Sequence, residues 1–93
     1  MMFENALSLF KMDMGVSHNL RDTLFLSVLE SCMKQISEKG ITLDPTKNED
    51  LMLLVDYALW QYRKRNEDIG MPRNLQLRIR NRVVKARATN GET

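Results

Sequence analysis

Nine basic side chains crowd one stretch of this chain: Arg63, Lys64, Arg65, Arg73, Arg78, Arg80, Arg82, Lys85 and Arg87. Seven of the nine are arginine, whose planar fork of donors grips carboxylates and phosphates through two bonds at once. Only Glu67 and Asp68 oppose them, so residues 63–87 carry +7, while residues 1–62, with five bases and nine acids, carry −4. The formal net charge of +2 hides this polarity. Such a split suits contact with a polyanion, with an acidic partner surface, or head to tail with a second copy. The plainer alternative is a solvated basic face whose side-chain stems cover apolar surface.

Groups that could support catalysis are sparse. His18 sits in a polar linker with Asp13 and Asp22 as its nearest acidic neighbours in sequence. Glu49-Asp50 pairs two carboxylates, yet their place suggests favourable charge in the first turn of a helix. The single cysteine, Cys32, has no internal disulfide partner, which fits a reducing compartment. It falls on an apolar helical stripe, where burial would keep its thiol protonated and inert. No metal-ligand spacing, glycine-rich phosphate loop or nucleophile with an evident base is present. The expectation is therefore no catalytic residue, no metal and no cofactor. Nor does the basic run match a reader of base sequence. Residues 66–71 separate the third and fourth helices, too long for the tight turn before a recognition helix, so nucleic-acid contact would be non-specific.

The elements that must carry these groups follow from apolar spacing. With 43% hydrophobic and 28% charged residues, the 93-residue chain suits one small globular domain over 1–88 with a frayed tail at 89–93. No apolar run reaches the ~18 residues of a membrane span, and Met1-Met2-Phe3-Glu4 lacks the basic start of a signal peptide.

Four helices are expected, in an all-α compact bundle. The first covers about residues 2–11, with Phe3, Leu7 and Phe10 on one face. The second covers about 20–39, with Leu24, Phe25, Val28, Leu29, Cys32 and Ile36 as its stripe, Asn19 as N-cap and Gly40 as stop. A capping box at Thr46 and Glu49 starts the third, about 47–66, whose main stripe is Leu51, Leu54, Val55, Ala58, Leu59 and Tyr62. Pro72 opens the fourth, about 72–87, with Leu75, Ile79, Val83 and Ala86 inward. Arg78, Arg82 and Lys85 flank that stripe on one side and Arg73, Arg80 and Arg87 on the other. Reversing Arg78 with Arg82, or Arg80 with Arg87, to Glu leaves Leu75, Ile79 and Val83 untouched, so the fold is expected to survive either change.

The third helix carries a second apolar stripe, Leu53, Tyr57 and Trp60, opposite the first. The fourth carries Leu77 and Val84 on its outer face. Four short helices leave these five residues as candidates for a subunit interface, the second stripe being alternatively the far side of a buried central helix.

At residues 50–87 these patterns converge. Asp50-Leu51, then Leu54-Val55-Asp56-Tyr57-Ala58 with Trp60-Gln61-Tyr62-Arg63, then Met71-Pro72-Arg73-Asn74-Leu75 and the arginine-rich end resemble the head–tail connector (head-completion, or DNA-packaging) proteins of long-tailed phages and prophages. The acidic helix closing on Gly40-Ile41 looks like that family's second helix, and the likeness covers about residues 15–87. The resemblance implies a small helical subunit that assembles into a homo-oligomeric ring, a dodecamer being one candidate size. The ring docks on the portal protein, receives a tail or stopper protein on its other side, and lets DNA pass non-specifically through its centre. It further implies a place in the virion at the head–tail junction, with the bacterial cytoplasm as the site of assembly. In that setting the nine basic residues are expected to face portal or DNA. The alternative is a non-specific nucleic-acid-binding helical protein that uses the same C-terminal arginines.

Overall fold

The computed structural model, which describes residues 3–89, is built from four helices, with no strand among those residues. They are α1 (Glu4–Met14), α2 (Asp22–Glu38), α3 (Asn48–Lys64) and α4 (Arg73–Thr89). The apolar periodicity thus forms the all-α bundle expected of it. Two glycines set where helices stop. Gly15 takes φ +73°, and the Val16 and Gly15 N–H groups reach back to the carbonyls of Lys11 (2.9 Å) and Met12 (3.1 Å). This left-handed ending, free of a Cβ clash, carries α1 past the expected residue 11 to Met14. Gly40, at φ +93°, closes α2 and turns the chain so that Ile41 and Leu43 drop back into the core, 2% and 9% exposed.

Both expected N-caps are replaced. The Asn19 side chain accepts from Lys11 Nζ at 2.8 Å, and Lys11 also pairs with Asp22 at 2.8 Å. Asn19 is therefore a tie between α1 and the start of α2, which begins at Asp22 without a side-chain cap. Thr46 likewise caps nothing. Its hydroxyl and its N–H both donate to Asp44 Oδ1, at 2.6 and 3.0 Å, which holds the Asp44 carboxyl below the usual carboxylate range. A turn at Asp44 forms in place of the capping box, and Asp50 reaches back from the first turn of α3 to accept the Asp44 N–H at 2.8 Å.

α3 is the centre of the molecule. α1, α2 and α4 all pack on it, α1 and α2 also pack on each other, and α4 packs on α3 alone. Phe10, Phe25 and Tyr62, one from each of the first three helices, meet with ring centroids 5.1–5.9 Å apart. Such contacts contribute about 0.5–1.5 kcal/mol a pair beyond area burial. Cys32 lies in this core, and burial pushes its thiol up to about 12.

The central position of α3 corrects one expectation. Leu53 and Tyr57 are not an uncovered stripe: they are 2% and 4% exposed within the chain's own core. Three helices and the returning loop surround α3, so both of its apolar sides are covered. The Tyr57 hydroxyl donates to Gln35 of α2 at 2.8 Å, and the same Gln35 oxygen accepts from Gln61 at 2.7 Å. Trp60 is half-buried; its indole N–H donates to the Ile69 carbonyl at 3.1 Å and fixes the loop that leads into α4. Leu77 and Val84 stay exposed, 43% and 58%. Of the expected frayed tail, Thr89 is still helical, and residues 90–93 lie outside the described residues, as does Met2 of the expected first helix.

Candidate functional site

α4 begins beside Pro72, whose carbonyl accepts the Gln76 N–H at 3.0 Å. Leu75 and Ile79 turn one side of the helix to α3, 3% and 8% exposed. Two arginines extend that inner side. Arg78 donates to Asp56 Oδ2 and Arg82 to Asp50 Oδ1, each at 2.6 Å. The contacts match two antiparallel helices pinned at two heights.

The two pins differ in weight. The Asp50 side chain is 9% exposed and that of Arg82 26%, and both Asp50 oxygens are engaged, one by Arg82 and one by the Asp44 N–H. Removing Arg82 would leave a buried carboxylate without its counter-charge, a loss of about 3–5 kcal/mol. Arg78 and Asp56 are 35% and 37% exposed; water screens them, and such a pair contributes ~1 kcal/mol or less.

This geometry divides the basic run. Arg78 and Arg82 are fastened to α3 and do not form a free flank. The expectation that their reversal would spare the fold is corrected accordingly. Arg63 lies 3.9 Å from Asp13 in a loose, exposed pair. Lys64 stands over the Trp60 ring at 4.8 Å and Arg65 over the Tyr62 ring at 5.3 Å. Arg73, Arg80, Lys85 and Arg87 have neither an ion pair nor a hydrogen bond among the described residues. Three of these four, Arg73, Arg80 and Arg87, are exposed on the side of α4 away from Arg78 and Arg82, next to exposed Leu77 and Val84.

Asp50 and Asp56 are the residues that sequence reasoning passed over. Glu49-Asp50 reads as ordinary first-turn charge, and Glu49 is indeed exposed, but Asp50 is buried. The available signal was Asp56, a lone carboxylate in the apolar run from Leu51 to Leu59. His18 is exposed, and its Nδ1 accepts the Leu20 N–H at 3.3 Å, a local turn contact. Among the described residues no three His, Cys, Asp or Glu side chains gather as metal ligands, and no helix is long and apolar enough to cross a membrane. Comparison of the chain with known protein families, with curated proteins and with solved structures finds no match.

Proposed function

We propose that this chain is a structural adaptor at the head–tail junction of a long-tailed phage, with no enzymatic step. In this reading it forms a ring that docks on the portal protein and joins it to a tail or stopper protein, and DNA passes through the centre. The observation that carries the reading is the outer side of α4. A helix anchored to the body through one side, with three exposed arginines on the other that pair with none of the described residues, is built to meet an anionic surface. The resemblance of residues 15–87 to head–tail connectors supplies the setting. Exposed Leu77 and Val84 and half-buried Trp60 remain for contact with other chains of the assembly, while Leu53 and Tyr57 serve the subunit's own core.

Deleting the gene from the phage or prophage that encodes the chain is the direct test. The expected product is DNA-filled heads without tails, restored by supplying the protein in trans. Normal yields of tailed, infectious particles from the deletion would end the reading. Exposed arginines in this arrangement also suit a non-specific nucleic-acid-binding helix. That alternative predicts duplex-DNA affinity that falls linearly with the logarithm of salt concentration, and no particle defect.

A further inference from the structure

Arg73, Leu77, Arg80, Val84 and Arg87 follow one another along α4 at spacings of four, three, four and three residues. That alternation has the four–three spacing of a coiled-coil seam, with Leu77 and Val84 as an apolar row and arginines in place of the second apolar row. All five side chains are exposed. On one side the seam leads past Asn81 into a groove whose wall includes Met52 and Leu53 of α3, and Met52 is itself 43% exposed.

We propose that this seam is the docking site for an acidic amphipathic helix of a partner protein. Such a helix sets aliphatic side chains against Leu77 and Val84 and carboxylates against Arg73, Arg80 and Arg87, where two-bond forks form. The inference rests on α4 being the docking element and adds the chemistry of what docks there. A second copy of α4 is excluded by charge: in parallel pairing arginine faces arginine, and in either orientation six uncompensated arginines share one seam. A nucleic-acid backbone would satisfy the arginines but leave Leu77 and Val84 in water. The aliphatic row between the charges therefore selects a partner that carries apolar side chains of its own.

The test uses the full chain and a labelled synthetic helix of about three heptads, with Leu in one row and Glu in the other. A Lys-for-Glu version, flexible polyglutamate and a DNA duplex serve as comparators, with binding read by fluorescence anisotropy. The acidic helix should bind most tightly of the four. Combining Leu77→Asn with Val84→Asn should weaken it at least about ten-fold while DNA binding stays unchanged. Joint reversal of Arg73, Arg80 and Arg87 to Glu should abolish it. All five positions lie on the outer side, so far-UV circular dichroism should report intact helices in both variants. Binding of polyglutamate or DNA as tight as that of the acidic helix overturns the proposal. So does an acidic helix indifferent to the Leu77 and Val84 changes. The deletion phenotype keeps the two readings apart. If the peptide fails while heads still lack tails, the adaptor stands and this docking chemistry falls. If the peptide binds while the deletion yields normal particles, the docking site stands and the adaptor falls.

Discussion

The inner and outer sides of α4 carry the same residue type at similar density, yet they hold different jobs. Arg78 and Arg82 lie 2.6 Å from carboxylates of α3 and fasten the helix, whereas Arg73, Arg80 and Arg87 meet nothing in the described chain. The difference does not reside in the arginines. It comes from Asp50 and Asp56, which are placed to face one side of α4 only. A basic helix is thus informative about partners only after its internal partners have been subtracted.

The buried contact between Arg82 and Asp50 carries the largest expected effect. Arg82→Glu would set a carboxylate against buried Asp50, and the expected cost is at least about 3–5 kcal/mol in urea unfolding. A loss below ~1 kcal/mol would mean that Asp50 is well solvated and the inner side is not a clamp. Next in size is Trp60→Ala. The half-buried indole anchors Ile69 at the foot of α4, so a loss of ~1–3 kcal/mol is expected, below the range for a fully buried Trp. An unchanged melt accompanied by failed assembly would return Trp60 to a purely intersubunit role. Smaller again, Arg78→Ala should cost ~1 kcal/mol or less, because its pair with Asp56 is a third exposed. Smallest of the charge changes, Arg80→Glu should shift stability by no more than about 0.5 kcal/mol, as for a surface site without partners among the described residues.

Cys32 offers a reading of how far each disturbance spreads. Burial raises its thiol from an ordinary 9.0 to about 12, so in mildly alkaline solution the folded thiol stays protonated and resists thiol reagents. Unfolding returns the lower value and the reactivity. The linkage has a definite sign: between 9.0 and about 12 the unfolded chain gives up a proton that the folded chain keeps, so this group makes stability fall as pH rises. Arg82→Glu should therefore speed labelling of Cys32 only in proportion to global unfolding. Fast labelling at unchanged helicity would show that α4 seals the core of the other three helices.

Much of the fold was legible in the chain's spacing, and the legible part is physical. Leu29, Ile36, Leu54 and Ala58, all fully buried, lie on the stripes that helical periodicity marks. Gly15 and Gly40 announce turns that only a left-handed residue makes well. What spacing cannot show is which of two competing partners a short polar side chain takes. Asn19 and Thr46 had the right chemistry for caps, and Lys11 and Asp44 outbid the helix starts for them. The same reason hid the site's division. Leu53 and Tyr57 read as surface until three neighbours of α3 are in place, and Asp50 reads as helix-start charge until Arg82 arrives from thirty-two residues away. Periodicity records one helix at a time, whereas these contacts belong to pairs of helices.

Two double charge reversals, unfolded side by side in urea, test the division of α4 most directly. Arg78→Glu with Arg82→Glu should lower stability by several kcal/mol, about 3–5 from the buried pin alone, with loss of α4 helicity. Arg80→Glu with Arg87→Glu should leave the midpoint and the circular dichroism at wild-type values. Equal effects from the two pairs, or a larger loss from the outer one, would contradict a helix clamped on one side and free to dock on the other.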